Sequence, residues 1–260
     1  MKSILLCLLL AGTLAQAQQI QDTLQEKNNP AKVISKPKMN IILKSVFGFS
    51  YAGATYWCYR SADTPIQDES QEGKNGLKTR VASSVSPLGL GKVNFIGCGA
   101  TAAFAYLTRN EELQHASVLW MESLLINDQV TSRLKSNFQR YRPNTGLPSF
   151  TFDGEDGPNI NRSFPSAHTS TAFTTATLFA SFYKDKKWVA PLAYGMATMV
   201  GLSRVYDNYH WASDVMAGAA IGFLSAKAVI GLDKLLAKKH IQLYPQIGRR
   251  RSAVAKVYGF

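Results

Sequence analysis

The sequence predicts an all-α fold, a helical bundle, on three observations. From Val93 onward the apolar residues recur at helical spacing with few strand-like alternations. The periodic segments are rich in Ala, Leu and Met, which favour helix. Apolar residues make up 46% of the 260 and charged residues 18%, enough for a sizeable core and too apolar for a disordered chain. A mean hydropathy of −0.09 speaks against a chain made mostly of lipid-embedded helices, though not against one or two.

The elements follow in order. Residues 1–17 have a basic start at Lys2, a continuous apolar run from Ile4 to Leu10 and a small-x-small site at Ala15-Gln16-Ala17. That pattern predicts a secretory signal peptide, too short to span a bilayer. Residues 18–92 read as an N-terminal extension with one helix and a long loop. Its parts are a polar leader over 18–40 with Pro30 and Pro37, an uncharged aromatic helix over Ser45–Tyr59, and a Gly/Ser/Pro-rich, charged surface loop over 61–91. Residues 93–240 carry five expected helices: Val93–Thr108, Glu111–Tyr141, Ser166–Tyr183, Trp188–Tyr206 and Trp211–Lys239. Pro143 closes the second, and a Pro/Gly/Asn/Asp-rich loop runs from Asn144 to Asn161. Residues 241–260, with Arg249-Arg250-Arg251 between two short alternating runs, form either a short hairpin or a basic tail.

Val215–Ala226 is uncharged for 12 residues, a length typical of a buried core helix, and Ser166–Tyr183 contains eight Ser or Thr, which suits a packed helix. A compact bundle is therefore the favoured reading, with a bundle dipping into the bilayer as the alternative. Cys58 and Cys98 could form one bridge in an oxidising compartment or stay buried thiols. The four histidines have no zinc-site spacing, so no metal is expected. The formal net charge of +12 attracts phosphates of any kind: nucleotide, nucleic acid or anionic lipid.

Three clusters carry chemistry. In Lys135-Ser-Asn-Phe-Gln-Arg-Tyr-Arg142-Pro143, the two cations share a face if the helix persists and can clamp an anion. In Ser163-Phe164-Pro165-Ser166-Ala167-His168-Thr169, a helix start at Pro165 and Ser166 offers free N–H groups for an anion beside an imidazole. Positive surroundings lower that histidine's pKa and a bound phosphate raises it, a balance left open. In Ser203-Arg204-x5-His210-x3-Asp214, a carboxylate one helical turn from an imidazole can fix its tautomer. Singly, each is equally compatible with a solvated basic face, an ordinary capped helix or a surface ion pair.

Together, Lys-x6-Arg-Pro, Pro-Ser-x-His and Ser-Arg-x5-His-x3-Asp resemble the three-part signature of the type 2 phosphatidic acid phosphatase (PAP2) superfamily, which includes bacterial class A acid phosphatases, lipid phosphate phosphatases and vanadium-dependent haloperoxidases. The match runs from Lys135 to Asp214, with Ala167 where many members carry glycine. The resemblance implies a helical bundle with the active site at helix ends in its core. It implies His210 as nucleophile, Asp214 as its orienting carboxylate and His168 as general acid and base. Lys135, Arg142, Ser166, Arg204 and the N–H near Ala167 would hold phosphate.

The expected function is then a metal-independent, cofactor-free phosphomonoesterase or pyrophosphatase, exported to the periplasm or cell envelope. The basic charge and apolar helices favour a lipid-linked phosphate such as phosphatidate, polyprenyl pyrophosphate or lipid A, and an anionic membrane surface as partner. The alternatives are a broad-specificity soluble periplasmic acid phosphatase, a vanadate-dependent haloperoxidase and a non-catalytic envelope protein that binds anionic lipid. A nucleic-acid partner is not expected, since no nucleic-acid motif accompanies the charge.

Overall fold

The computed structural model describes residues 36–238, with side chains from Ser45 onward. The expected signal peptide and the hairpin or basic tail at 241–260 lie outside the described residues. Eight α-helices follow one another: α1 Lys36–Trp57, α2 Asp63–Glu72, α3 Gly76–Val85, α4 Gly91–Leu107, α5 Glu111–Phe138, α6 Ala167–Phe182, α7 Val189–Tyr206 and α8 Ala212–Lys238. A π-helical turn, Cys58–Ala62, joins α1 to α2, and a 3-10 turn, Ser86–Gly89, precedes α4. Among the described residues there is no strand, as an all-α fold requires.

Helix α6 lies at the centre. Ten of its 16 residues are buried, five of them Thr or Ser. Their hydroxyls cost little inside because they bond to the helix's own carbonyls, Thr174 to Ser170 O at 2.9 Å and Thr177 to Phe173 O at 2.7 Å. Helix α8 crosses α6 so closely that a Cβ at Gly222 would sit 2.0 Å from Ser170 O, and one at Gly218 would sit 2.5 Å from Ser166 O. Only glycine permits that approach. It brings the start of α8 against the start of α6, which is where the chemistry-bearing residues are. Apolar side chains of α6, α7 and α8 (Phe173, Tyr194, Val200 and Ala219 among them) fill one side of the contact. Cys98, Leu119, Trp120 and Ile230 bind α4 and α5 to the other.

The N-terminal extension departs from expectation. The loop expected over 61–91 is two helices and a 3-10 turn, and the helix expected over Ser45–Tyr59 begins at Lys36, inside the expected polar leader. Helix α2 buries only Asp63, Ile66 and Gln67, and α3 only Ala82. So narrow a buried stripe leaves a polar composition that looks like loop. Asn75 caps α3 by accepting from Lys78 N at 2.9 Å. Cys58 and Cys98 form no bridge. They are buried in separate clusters, Cys58 near Val205 and Met216, Cys98 near Leu119.

Many large apolar side chains face outward, including Phe49, Ile96, Leu107, Leu224 and Leu235, each at least 60% exposed. By length and composition α8 is the one described helix that could by itself cross a membrane, and half of its apolar window is buried inside the bundle.

Replacing Gly222 with Val is expected to destabilise the fold by about 3 kcal/mol or more, since backbone must move to admit the side chain. Gly231→Ala, on the same helix with open space at its Cβ, is expected to leave thermal unfolding unchanged or raise it slightly. Equal effects of the two would contradict the close crossing.

Candidate active site

The site gathers where three chain segments end. Helix α5 starts at the Asn110 cap, whose side chain accepts from Leu113 N at 3.0 Å, and carries Lys135 in its last turn. It stops at Phe138 because Gln139 turns left-handed, with φ 44°. The continuous helix expected as far as Tyr141 therefore does not form, and Lys135 and Arg142 do not share a helical face. The Gln139 amide instead holds the following loop by donating to Gly154 O at 2.7 Å and Gly157 O at 3.2 Å. Lys135 Nζ donates to Arg162 O at 2.5 Å and Ser163 O at 3.3 Å, which draws the loop's far end back over the helix.

Ser166 caps α6. Its Oγ accepts from Thr169 N at 3.4 Å and from Thr169 Oγ1 at 2.9 Å, so its own hydroxyl hydrogen remains to donate. Ala167 and His168 follow in the first turn and are half-buried. Arg204 lies in the last turn of α7, where Ser86 Oγ accepts from its Nη1 at 2.7 Å and Asp207 pairs with the same nitrogen at 3.1 Å. Its Nε is buried with no protein partner. Arg142 and Arg204 both lie against the ring of Tyr209, at 5.5 and 4.7 Å from its centroid.

His210 sits just before α8 rather than on it, so the expected one-turn helical pairing with Asp214 is made across a turn. The Nδ1 to Oδ2 distance is 3.6 Å, slightly long for a hydrogen bond, and His210 Nδ1 is buried without another partner. Asp214 is fully buried and well held. Its Oδ2 accepts from Ser163 Oγ at 2.5 Å and Trp211 N at 3.0 Å, and its Oδ1 from Arg140 Nη1 at 2.6 Å.

The electrostatics follow from this crowding. Burial, then the positive charges of Arg204, Lys135 and Arg142, push His168 down to about 4. Burial lowers His210 to about 3 even though Asp214 pulls the other way. Burial with Arg142 and Arg162 nearby brings Lys135 down to about 7, against the pull of Asp214. For Asp214, burial alone would raise the carboxyl, but Arg140, His210 and Ser163 outweigh it and hold it well below the usual range. A neutral, tautomer-fixed imidazole therefore faces an N-terminal helix turn ringed by three cations. That arrangement has the donors and charge to receive a tetrahedral oxyanion, with an imidazole nitrogen beside it.

Lys135, Arg142, Ser166, Ala167, His168, Arg204, His210 and Asp214 all belong to this neighbourhood. Motif reading missed Asp63, Ser86, Arg140, Ser163, Tyr209 and Ser213. Arg140, Ser163, Tyr209 and Ser213 stand inside the three motif segments, at positions whose variable appearance hid them. Asp63 and Ser86 come from the extension and carry no local signal. Among the described residues, no group of three or more His, Cys, Asp or Glu is placed to hold a metal ion.

Residues 116–235 match the family model described as PAP2 superfamily. A lipid A 1-phosphatase of Porphyromonas gingivalis is 46% identical over 82 residues, 31% of this chain; the match spans only 18% of that relative's length. The fold resembles two crystal structures. LpxE of Aquifex aeolicus aligns with a TM-score of 0.51 at 22% identity, over 66% of this chain and 96% of that one. The transmembrane PAP2-type phosphatidylglycerolphosphate phosphatase of Bacillus subtilis aligns with a TM-score of 0.53 at 21% identity, over 78% and 98%.

The depressed histidines make the fold acid-labile. Unfolded imidazoles titrate near ~6.5, the native ones at about 4 and about 3. Between those values the unfolded chain binds protons that the native one does not, so stability falls as pH drops below ~6.5 and continues to fall toward 3. Thermal unfolding across pH 7 to 4 is expected to show a steeper decline in the unsubstituted protein than in a His210→Gln variant. Parallel curves would contradict a buried neutral His210.

Proposed function

Residues 116–235 belong to the PAP2 superfamily, and on that footing we propose that the chain is a phosphatase that works through a phosphohistidine on a lipid-linked phosphate. The observation that carries the reading is the buried His210 with its Nδ1 3.6 Å from the buried Asp214, and Lys135 and Arg142 close enough to act on both His210 and His168.

The chemistry proposed for these residues is phosphoryl transfer by positioning and charge. Lys135, Arg142, Arg204, the Ser166 hydroxyl and the first N–H groups of α6 hold the phosphate oxygens. Nε2 of His210 attacks phosphorus while its Nδ1–H turns to Asp214. The 3.6 Å separation closes to a hydrogen bond as positive charge develops on the ring. The P–O bond to the leaving group breaks as His168 gives that oxygen a proton. In the second half, water gives a proton to His168 and attacks phosphorus, and the P–N bond breaks.

A lipid-linked substrate is supported by the outward apolar side chains of α1, α4 and α8 and by a groove of about 1230 Å³ whose walls include Tyr51, Tyr59, Phe138, Phe164, Phe173 and Leu224. A freely soluble enzyme has no use for that much apolar surface, and a lipid phosphate at a membrane explains it. The basic chain favours association with an anionic membrane surface in the cell envelope.

Two outcomes check this reading. In a panel of para-nitrophenyl phosphate, phosphatidate, polyprenyl pyrophosphate and lipid A, a lipid member is expected to turn over fastest, with chelator making no difference. His210→Ala is expected to cut kcat by about 10³-fold or more. Preference for para-nitrophenyl phosphate would contradict the lipid reading, and a working His210→Ala variant would contradict the mechanism. Rate against pH is expected to be bell-shaped, with the descending limb of kcat at higher pH than that of kcat/KM. Bound phosphate offsets the cations that depress His168, so it holds its proton longer in the complex. Coincident limbs would contradict the role given to His168.

A further inference from the structure

Behind Asp214 lies a second buried carboxylate. Asp63, the first residue of α2, is 1% exposed and Arg140 is 1% exposed. Arg140 forks between the two acids, Nη2 to Asp63 Oδ2 at 2.6 Å and Nη1 to Asp214 Oδ1 at 2.6 Å. Ser213 ties the arrangement together: its N–H donates to Asp63 Oδ1 at 2.8 Å, its Oγ donates to Asp63 Oδ2 at 2.6 Å and accepts from Arg140 Nη1 at 2.8 Å. Arg140 Nε donates to Ser149 O at 2.8 Å. Burial pushes the Asp63 carboxyl above its usual range, Arg140 pulls it back and Asp214 adds to the rise, but these contacts all present donors to Asp63, which is the environment of an ionised carboxylate. Asp63 stands outside residues 116–235, in a segment to which the mechanism above gives no task.

We propose that Asp63 is a positioning residue for catalysis: by sharing Arg140 with Asp214, it keeps a net negative charge behind His210 and so supports the positive ring formed during phosphoryl transfer. This inference rests on the phosphohistidine reading. The reasoning is charge bookkeeping in a dry site. Arg140 alone would neutralise Asp214 and leave His210 facing an ion pair of no net charge. With Asp63 added, two carboxylates and one guanidinium leave one net negative charge, and Arg140 still fixes the orientation of Asp214. At low local dielectric that single charge acts strongly on an imidazole 3.6 Å from Asp214 Oδ2. In the proposed attack by Nε2 the phosphate meets the ring on the side away from Asp214, so the effect falls on turnover and not on substrate binding. The extension is therefore part of the catalytic apparatus, which accounts for its burial of an acid against residues 140 and 213.

The experiment compares full-length Asp63→Asn with the unsubstituted protein, using the fastest phosphate ester of the panel and monitoring thermal unfolding. Asp63→Asn is expected to lower kcat by about 10- to 100-fold with KM within about twofold. Asp63→Glu keeps the charge and leaves Arg140 in place, and its kcat is expected to stay within about fivefold of the unsubstituted value. A merely structural role predicts that the longer Glu side chain harms turnover as much as Asn does, and that result would overturn the proposal, as would an Asp63→Asn kcat within about threefold of the unsubstituted value. Should Asp63→Asn fail to fold, Asp63→Glu carries the test: kcat within about fivefold of the unsubstituted protein supports the proposal, and a folded Asp63→Glu slower by more than about tenfold overturns it. If the unsubstituted protein releases phosphate from no panel member, it is the phosphatase reading that fails, not the role of Asp63.

Discussion

The buried ion pair between Arg140 and Asp214 is the constraint on which the rest depends. A carboxylate with no exposed surface is costly unless charge and hydrogen bonds compensate it. Here Arg140, Ser163 Oγ and Trp211 N do so at 2.6, 2.5 and 3.0 Å. Those three donors come from the loop just past α5, the loop before α6 and the turn before α8. Satisfying one acid therefore ties together the segments that carry Lys135, Arg142, Ser166 and both histidines. Fold and chemistry share this contact: the close crossing of α6 and α8 at Gly218 and Gly222 sets the height at which Asp214 meets Ser166, whose N–H donates to Asp214 O at 3.0 Å.

The same burial shapes the chemistry through solvation. Water is kept from His210, so the imidazole stays neutral well below its ordinary titration range, as the proposed nucleophile must. Burial and the charges of Arg204, Lys135 and Arg142 hold His168 below its ordinary range. Under the proposed mechanism a bound phosphate offsets those charges and so prepares the acid that the reaction needs.

Much of this was legible in the sequence because the motif residues do local work. Ser166 starts a helix whether or not phosphate binds, and Asp214 lies four residues from His210 on any backbone. The convergence of Lys135 with Arg142 was reached by the wrong route: an intact helix was expected, whereas a left-handed Gln139 breaks it and a loop closes the distance. Arg140 was invisible because a single charge inside a basic motif looks solvated until its partners are known. Asp63 lay still deeper, since its partner Ser213 is 150 residues away and its helix buries too few side chains to show a period. Long-range pairing of buried charges leaves no local trace, and that is where sequence reasoning stopped.

The central claim is that His210 becomes covalently phosphorylated in a site built by the Arg140–Asp214 contact. It is tested most directly by mixing the protein with excess labelled substrate, quenching in alkali within a turnover and mapping the label by peptide mass spectrometry. The account predicts an acid-labile phosphoryl group on the peptide containing His210, and none at that position in a His210→Gln variant. A protein that releases phosphate steadily while the label never resides on His210, or resides on His168 instead, would contradict it.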